Sequence, residues 1–222
     1  MSAVAKNPRP DAAPEPKCDP KADKVEARRK AILEVARDVF LNQGYAAASM
    51  SEIASRVGGS KGTLYNYFRS KEELFGAFMS EACQGAANAA YQHLPPVGGD
   101  LRAALIDFGE IFLRFLFNEQ VMAIHRLVVA EAGRFPELGR VFYENGPKRG
   151  ETKLDAYFSE AVAAGKLRPC DTLKAARWFR DMVFADIYCR ALWGVLDRPT
   201  PESMHAHSVE AVDIFLAAFG PE

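Results

Sequence analysis

Residues 49–74 read S-M-S-E-I-A-S-R-V-G-G-S-K-G-T-L-Y-N-Y-F-R-S-K-E-E-L, and the reading of this run decides the fold. Ser49, Ser60 and Ser70 each stand at a candidate helix start, with a side-chain oxygen for an orphan backbone N–H. Ser49 with Glu52, and Ser70 with Glu73, match the reciprocal Ser-x-x-Glu capping box. Ile53, Ala54 and Val57 form one helical stripe. Gly58 and Gly59 then end it, because glycine turns left-handed without a steric penalty. The spacing predicts a helix, a tight turn and a second helix over residues 60–68.

That second helix is short and polar. Leu64 and Phe68, four apart, anchor it inward, which leaves Lys61, Gly62, Thr63, Tyr65, Asn66 and Tyr67 mostly on other faces. Such residues suit a DNA groove. Lysine attracts phosphate, threonine and tyrosine bring hydroxyls and apolar contact, asparagine pairs with adenine, and glycine lets the backbone come close.

The run S-K-G-T-L-Y-N-Y-F-R-S-K-E-E-L resembles the recognition-helix signature of the tetracycline-repressor (TetR) family of transcriptional regulators. The G-Y-x-x-x-S-M-x-E-I-A start of that family precedes it at residues 44–54, and the similarity extends over residues 25–79. Gly59 departs from the pattern, which more often has a small apolar residue in the turn. A weaker likeness to the regulatory domain of an AcrR/AefR-like branch lies in residues 114–117, 122–129 and 132–138.

The resemblance implies an all-α protein. An N-terminal three-helix domain with a helix-turn-helix is joined by a long helix to a larger helical ligand-binding and dimerisation domain. The divisions are residues 1–22 as a disordered arm, 23–80 for DNA binding and 81–222 for the body. The family also implies that Lys71 contacts a phosphate. The expected DNA-facing set is Ser49, Ser51, Ser60, Lys61, Gly62, Thr63, Tyr65, Asn66, Tyr67 and Lys71, with Thr63, Tyr65 and Asn66 on base edges. The partners implied are double-stranded operator DNA, a small hydrophobic effector and a second copy of the chain.

Composition agrees with an ordinary globular chain: 222 residues, 49% hydrophobic and 26% charged. A net charge of −1 hides a split. Residues 24–80 carry nine Lys and Arg against six Asp and Glu, and residues 81–222 carry fifteen against nineteen. A basic head on an acidic body fits one DNA-facing end, although solvated helix faces produce the same contrast. No apolar run is long enough to span a membrane, and the start lacks the apolar core of a signal peptide, so a cytoplasmic location is the expectation. Cys18, Cys83, Cys170 and Cys189 lack Cys-x-x-Cys spacing and read as free thiols.

Pro8, Pro10, Pro14, Pro16 and Pro20 forbid a continuous helix through the arm. Helices are expected over about 23–43, with Gly44 ending the first, and from Ser70 to about 93. After the Pro95-Pro96 and Gly98-Gly99 break they follow at 100–118, 119–134, 136–145, 147–164, 172–196 and 201–219. Asp100, Asp171 and Thr200 are the expected caps.

In the body, the family's internal cavity is assigned to Phe108, Phe112, Met122, His125, Arg126, Phe142, Tyr157, Phe158, Trp178, Phe179 and Met182, all equally readable as core. The last two helices carry apolar residues over so wide an arc that each has two sides to bury. Phe184, Ile187, Trp193, Val212, Phe215 and Phe219 are assigned to a symmetric interface, matching the family's four-helix dimer contact. No nucleophile elbow, phosphate-binding glycine loop or zinc-ligand spacing occurs, so neither catalysis, a metal nor a cofactor is expected. Two alternatives stay open: a helical small-molecule-binding protein without specific DNA binding, and a transcriptional activator.

Overall fold

The computed structural model describes residues 20–221, and the side chains of all of these except residues 20–22 and 83–90. Among the described residues eleven α-helices and no strands occur. They are α1 (Pro20–Gln43), α2 (Met50–Arg56), α3 (Lys61–Tyr65), α4 (Lys71–Gln92), α5 (Leu101–Leu116), α6 (Glu119–Glu131), α7 (Pro136–Asn145), α8 (Pro147–Ala163), α9 (Thr172–Phe184), α10 (Ile187–Leu192) and α11 (Pro201–Phe219).

Local signals set most boundaries. Ser49, Ser60, Asp100, Asp171 and Thr200 each accept a backbone N–H three residues on. Ser70 accepts the N–H of Glu73 in the same way. The glutamate half of each capping box is engaged elsewhere. Glu52 instead binds Gln43 and Arg56, and Glu73 accepts the N–H of Arg69 at 2.7 Å. Gly44 and Gly58, with φ of 82° and 72°, occupy the left-handed conformation that stops α1 and α2.

Two expectations need correction. The arm expected to be unstructured through residue 22 gives way to α1 at Pro20, because a proline at the first helical position forfeits only an N–H that has no helical partner. The rest of that arm, with Cys18, lies outside the described residues, as does the Cys83 side chain. The helix expected over 172–196 is two helices. Ala185 is extended (ψ 168°) and Asp186 takes φ 50° and ψ −80°, a positive-φ conformation no α-helix can run through. Arg126 of α6 donates to the carbonyls of Ala191 and Leu192, holding the end of α10 against α6.

Two hydrophobic clusters organise the molecule. In the head, Phe40, Tyr45, Phe75 and Phe78 interlock as ring pairs with centroids 5.3 to 6.3 Å apart. Ile53, Leu64 and Phe68 pin α2 and α3 onto them. Burial of each such side chain contributes about 1.5–3 kcal/mol. This cluster also takes in Ile124, Val128 and Leu138 from α6 and α7, so the head is seated on the body. In the body, Phe108, Phe158, Phe179 and Phe215 are essentially inaccessible and stack where α5, α8, α9 and α11 meet.

Candidate nucleic-acid interface and ligand cavity

α3 owes its orientation to one side. Its only buried residue is Leu64, and Phe68 follows it into the head cluster. Ser60, Lys61, Gly62, Thr63, Tyr65 and Asn66 are all exposed, as are Ser49 and Ser51 at the start of α2. Ser60 accepts the N–H of Thr63 at 3.1 Å and shares a hydroxyl contact with it at 2.9 Å. Lys61 lies over the Tyr65 ring, 5.8 Å from its centroid. Tyr67 is half-buried beside the head cluster.

Behind the turn, Arg28 of α1 donates to the carbonyl of Gly58 at 3.3 Å. A Cβ at Gly59 would stand 2.9 Å from its guanidinium nitrogen, so the glycine that departs from the family pattern makes room for Arg28. Lys71 differs from the surface set. Its ammonium donates to the carbonyls of Tyr45 and Ala48, and lies 4.2 Å from the Tyr45 ring centroid. The Tyr45 hydroxyl donates to Glu72 at 3.1 Å, and burial followed by the Glu72 charge pushes its pKa up.

The body holds a partly open cavity of about 250 Å³. Of the residues assigned to it from sequence, Phe112, His125 and Phe142 line it, joined by Phe115 and by Phe184, which had been assigned to the dimer face. The Nδ1 of His125 is hydrogen-bonded to the Tyr188 hydroxyl. Burial pulls the pKa of His125 down to about 4 and raises that of Tyr188, so this pair is uncharged at neutral pH.

The other expected lining residues stand elsewhere. Phe108, Phe158 and Phe179 are full core residues, and Met122 is buried among them. Tyr157 and Met182 pack on that core from outside. Arg126 is committed to the α10 carbonyls. Trp178 is 45% exposed on the outer side of α9, its ring 5.7 Å from that of Phe219. Helical spacing identifies which residues turn inward but not whether they meet a void or one another.

The expected interface is revised for the same reason. Ile187, Val212, Phe215 and Phe219 are buried within their own chain, since α11 packs between α5 and α9. Over residues 172–219 the large apolar residues left outward are Leu173 and Trp178 on α9, Ile214 on α11, and Trp193 and Val195 after α10.

Sequence reasoning missed Tyr91, Arg149, Lys153 and Arg180, which also line the cavity. The one available signal was a pair of cations four apart at the start of α8. Gly150 between them is buried, and a Cβ there would fall 2.0 Å from the Tyr91 hydroxyl, so Tyr91 seats only against a glycine. Tyr91 ends α4, the helix that begins under the head, so one helix reaches both sites.

A capped helix-turn-helix seated on a helical body that holds a cavity defines a DNA-binding transcriptional regulator. Residues 32–78 match the tetR family of bacterial regulatory proteins, and residues 103–221 match the AefR-like transcriptional repressor C-terminal domain. The chain belongs to the TetR family; it is a regulator and not an enzyme. It is similar to the flavonoid-responsive regulator FrrA, with 33% identity and a TM-score of 0.77 over 89% of this chain and 99% of that one. A TetR-family regulator from Mesorhizobium loti MAFF303099 superposes with a TM-score of 0.75 at 26% identity, covering 88% and 98% of the two chains. The regulator YhgD of Bacillus subtilis is 26% identical over 65% of this chain and 74% of its own length. No helix among the described residues is long and apolar enough to cross a membrane.

Proposed function

We propose that the protein is a homodimeric repressor that binds a near-palindromic operator in the cytoplasm and releases it when a small, largely hydrophobic effector fills the cavity. The DNA-facing reading rests on α3, where one buried leucine leaves every neighbouring side chain outward. In this reading Thr63, Tyr65 and Asn66 address base edges, Lys61 and Tyr67 hold phosphates, and Lys71 adds its remaining N–H. Ser49, Ser51, Ser60 and Gly62 fit the backbone alongside.

A two-fold dimer carries two α3 helices into successive major grooves, roughly 34 Å apart. Effector binding lowers operator affinity only by favouring a spacing of the heads that the operator rejects. Support for such coupling is that cavity residues Ile124 of α6 and Tyr91 of α4 belong to helices that also build the head's seat. FrrA is named for its response to flavonoids, which makes planar aromatic compounds the first to try.

The test is selection of duplexes from a random pool, with and without such compounds. A palindromic consensus lost on adding effector is expected. Asn66→Ala is expected to change the selected sequence, at about 1–3 kcal/mol per base pair read. Equal affinity for every duplex, steep in salt or not, would remove the operator reading. An activator is the second reading, favoured by 41% identity over 95 residues to the activator FasR of Mycolicibacterium smegmatis, a match spanning 42% of that protein.

A further inference from the structure

His125 of α6 lines the cavity, whereas Tyr188 of α10, which is bonded to its Nδ1, does not. Three rings set the imidazole: Phe142, Phe184 and Tyr188 meet it edge-on, with centroids 4.8, 6.0 and 5.3 Å away. Tyr188 is wholly buried, and among the described residues its hydroxyl has no partner but His125. Were Nδ1 the donor, the tyrosine proton would be left buried without an acceptor, at the full desolvation cost of a hydroxyl. The Tyr188 O–H therefore donates to Nδ1. Burial keeps His125 neutral, and a neutral imidazole that accepts at Nδ1 carries its proton on Nε2.

Nε2 has no hydrogen-bond partner among the described residues. Yet the one side-chain polar atom among them that is both buried and unpartnered is the Ser208 hydroxyl. Nε2 is thus open to a ligand or to water, and the cavity is the space that His125 lines. Most other polar side chains of the lining are engaged. Asn145 donates to the carbonyl of Val141 and accepts from Arg149, and Arg180 is paired with Glu151 and Asp181. Arg149 and Lys153 are exposed, and Lys153 lies over the Tyr91 ring. Tyr91 itself adds a phenol that burial keeps protonated.

A nitrogen that can only donate selects a ligand atom that can accept. A purely apolar ligand over this N–H would displace its water and return no hydrogen bond. The rings of Phe112, Phe115 and Phe142, also in the lining, suit an aromatic body. We infer that His125 is a specificity-determining residue of the cavity and that the effector is an aromatic compound whose carbonyl oxygen accepts from Nε2–H. Tyr188 is the positioning residue that fixes the proton there. This narrows the ligand-responsive reading above and rests on it.

The experiment compares 2-acetylnaphthalene, which has such an oxygen, with 2-ethylnaphthalene, which has the same outline without it. Equilibrium dialysis of the full chain gives an affinity ratio, ketone over hydrocarbon, for the native protein and for His125→Phe, so the different solubilities of the two compounds cancel. The native ratio is expected to be at least about fivefold the larger, as one hydrogen bond left unmade requires. In Tyr188→Phe, where the imidazole can take either tautomer, an intermediate ratio is expected; a native-like ratio there overturns the role given to Tyr188. Each ratio is taken within one preparation, so partial unfolding does not enter it. Equal ratios in the native protein and His125→Phe overturn the inference, as does failure of the native protein to bind the ketone. Nitrogen NMR spectra of the native protein, with the His125 signals taken as those lost in His125→Phe, are expected to place the proton on Nε2, and a proton on Nδ1 overturns the inference independently. None of these outcomes touches operator selection, whereas an operator that no bound compound releases would strike the ligand-responsive reading and leave the ratios as they stand.

Discussion

The ammonium nitrogen of Lys71 lies 2.8 Å from the carbonyl oxygen of Tyr45. It thereby ties the first turn of the helix that leads into the body to the segment between α1 and α2, and its second bond, to Ala48, is 3.2 Å long. Tyr45 in turn packs edge-on against Phe135, 5.3 Å between centroids, at the C-terminal side of α6. Lys71 is a joint as well as a candidate phosphate ligand.

Lys71→Ala is accordingly expected to lower stability by about 1–2 kcal/mol, since two carbonyls lose a charged donor. Lys61→Ala, on exposed α3, is expected to leave stability within about 0.5 kcal/mol and to reduce the slope of log affinity against log salt by about one. Denaturation curves and salt titrations of duplex binding separate the two. A Lys71→Ala protein as stable as the native one would remove the joint.

Stability should fall on acidification through His125. Its pKa in the fold is depressed to about 4 from an ordinary value near 6.5. Between those values the unfolded chain takes up a proton that the folded chain refuses, so stability rises with pH there. The contribution is fully present above about pH 6.5 and declines towards pH 4, by up to about 3 kcal/mol. Urea denaturation across this range should show a shallower pH slope in His125→Phe; identical slopes would mean that another group titrates.

α5 and α11 touch at Gly109, where an added Cβ would meet the Ser208 hydroxyl at 2.9 Å. Gly109→Ala is expected to cost about 1–3 kcal/mol by forcing the helices apart. The Ser208 hydroxyl is buried with no hydrogen-bond partner, so Ser208→Ala should be neutral or stabilising by up to about 1 kcal/mol. Because the two sites touch, the double variant should recover part of the loss, and additive effects would argue against the contact.

The outward apolar residues of α9 and α11 offer the dimer test. Ile214 is 53% exposed and Trp178 45%. Ile214→Glu with Trp178→Ser is expected to give a folded monomer in sedimentation and to abolish binding to a two-half-site duplex. Val212, by contrast, is wholly buried in its own chain, so its replacement by a charged residue should unfold the body. A dimer that survives the double change places the interface elsewhere.

Residue types and spacing alone determined the helical class, the three-helix head and the bounds of α7 and α11. These follow from interactions within a few residues: a serine or threonine oxygen on an N–H three positions later, a proline at the first helical position as in α7, a glycine turning left in the head, a leucine and a phenylalanine four apart. The surface of α3 was equally legible, because a helix held by one anchor has no other way to face. What only the tertiary structure decided was which inward side chains meet a void. Phe112 and Phe142 line the cavity, while Phe158 and Phe179, just as apolar and just as inward, fill the core. That difference depends on how far apart α5, α7, α8 and α9 stand, and with it came Arg149 and Lys153, charged residues at the cavity wall that on a helix read simply as solvated.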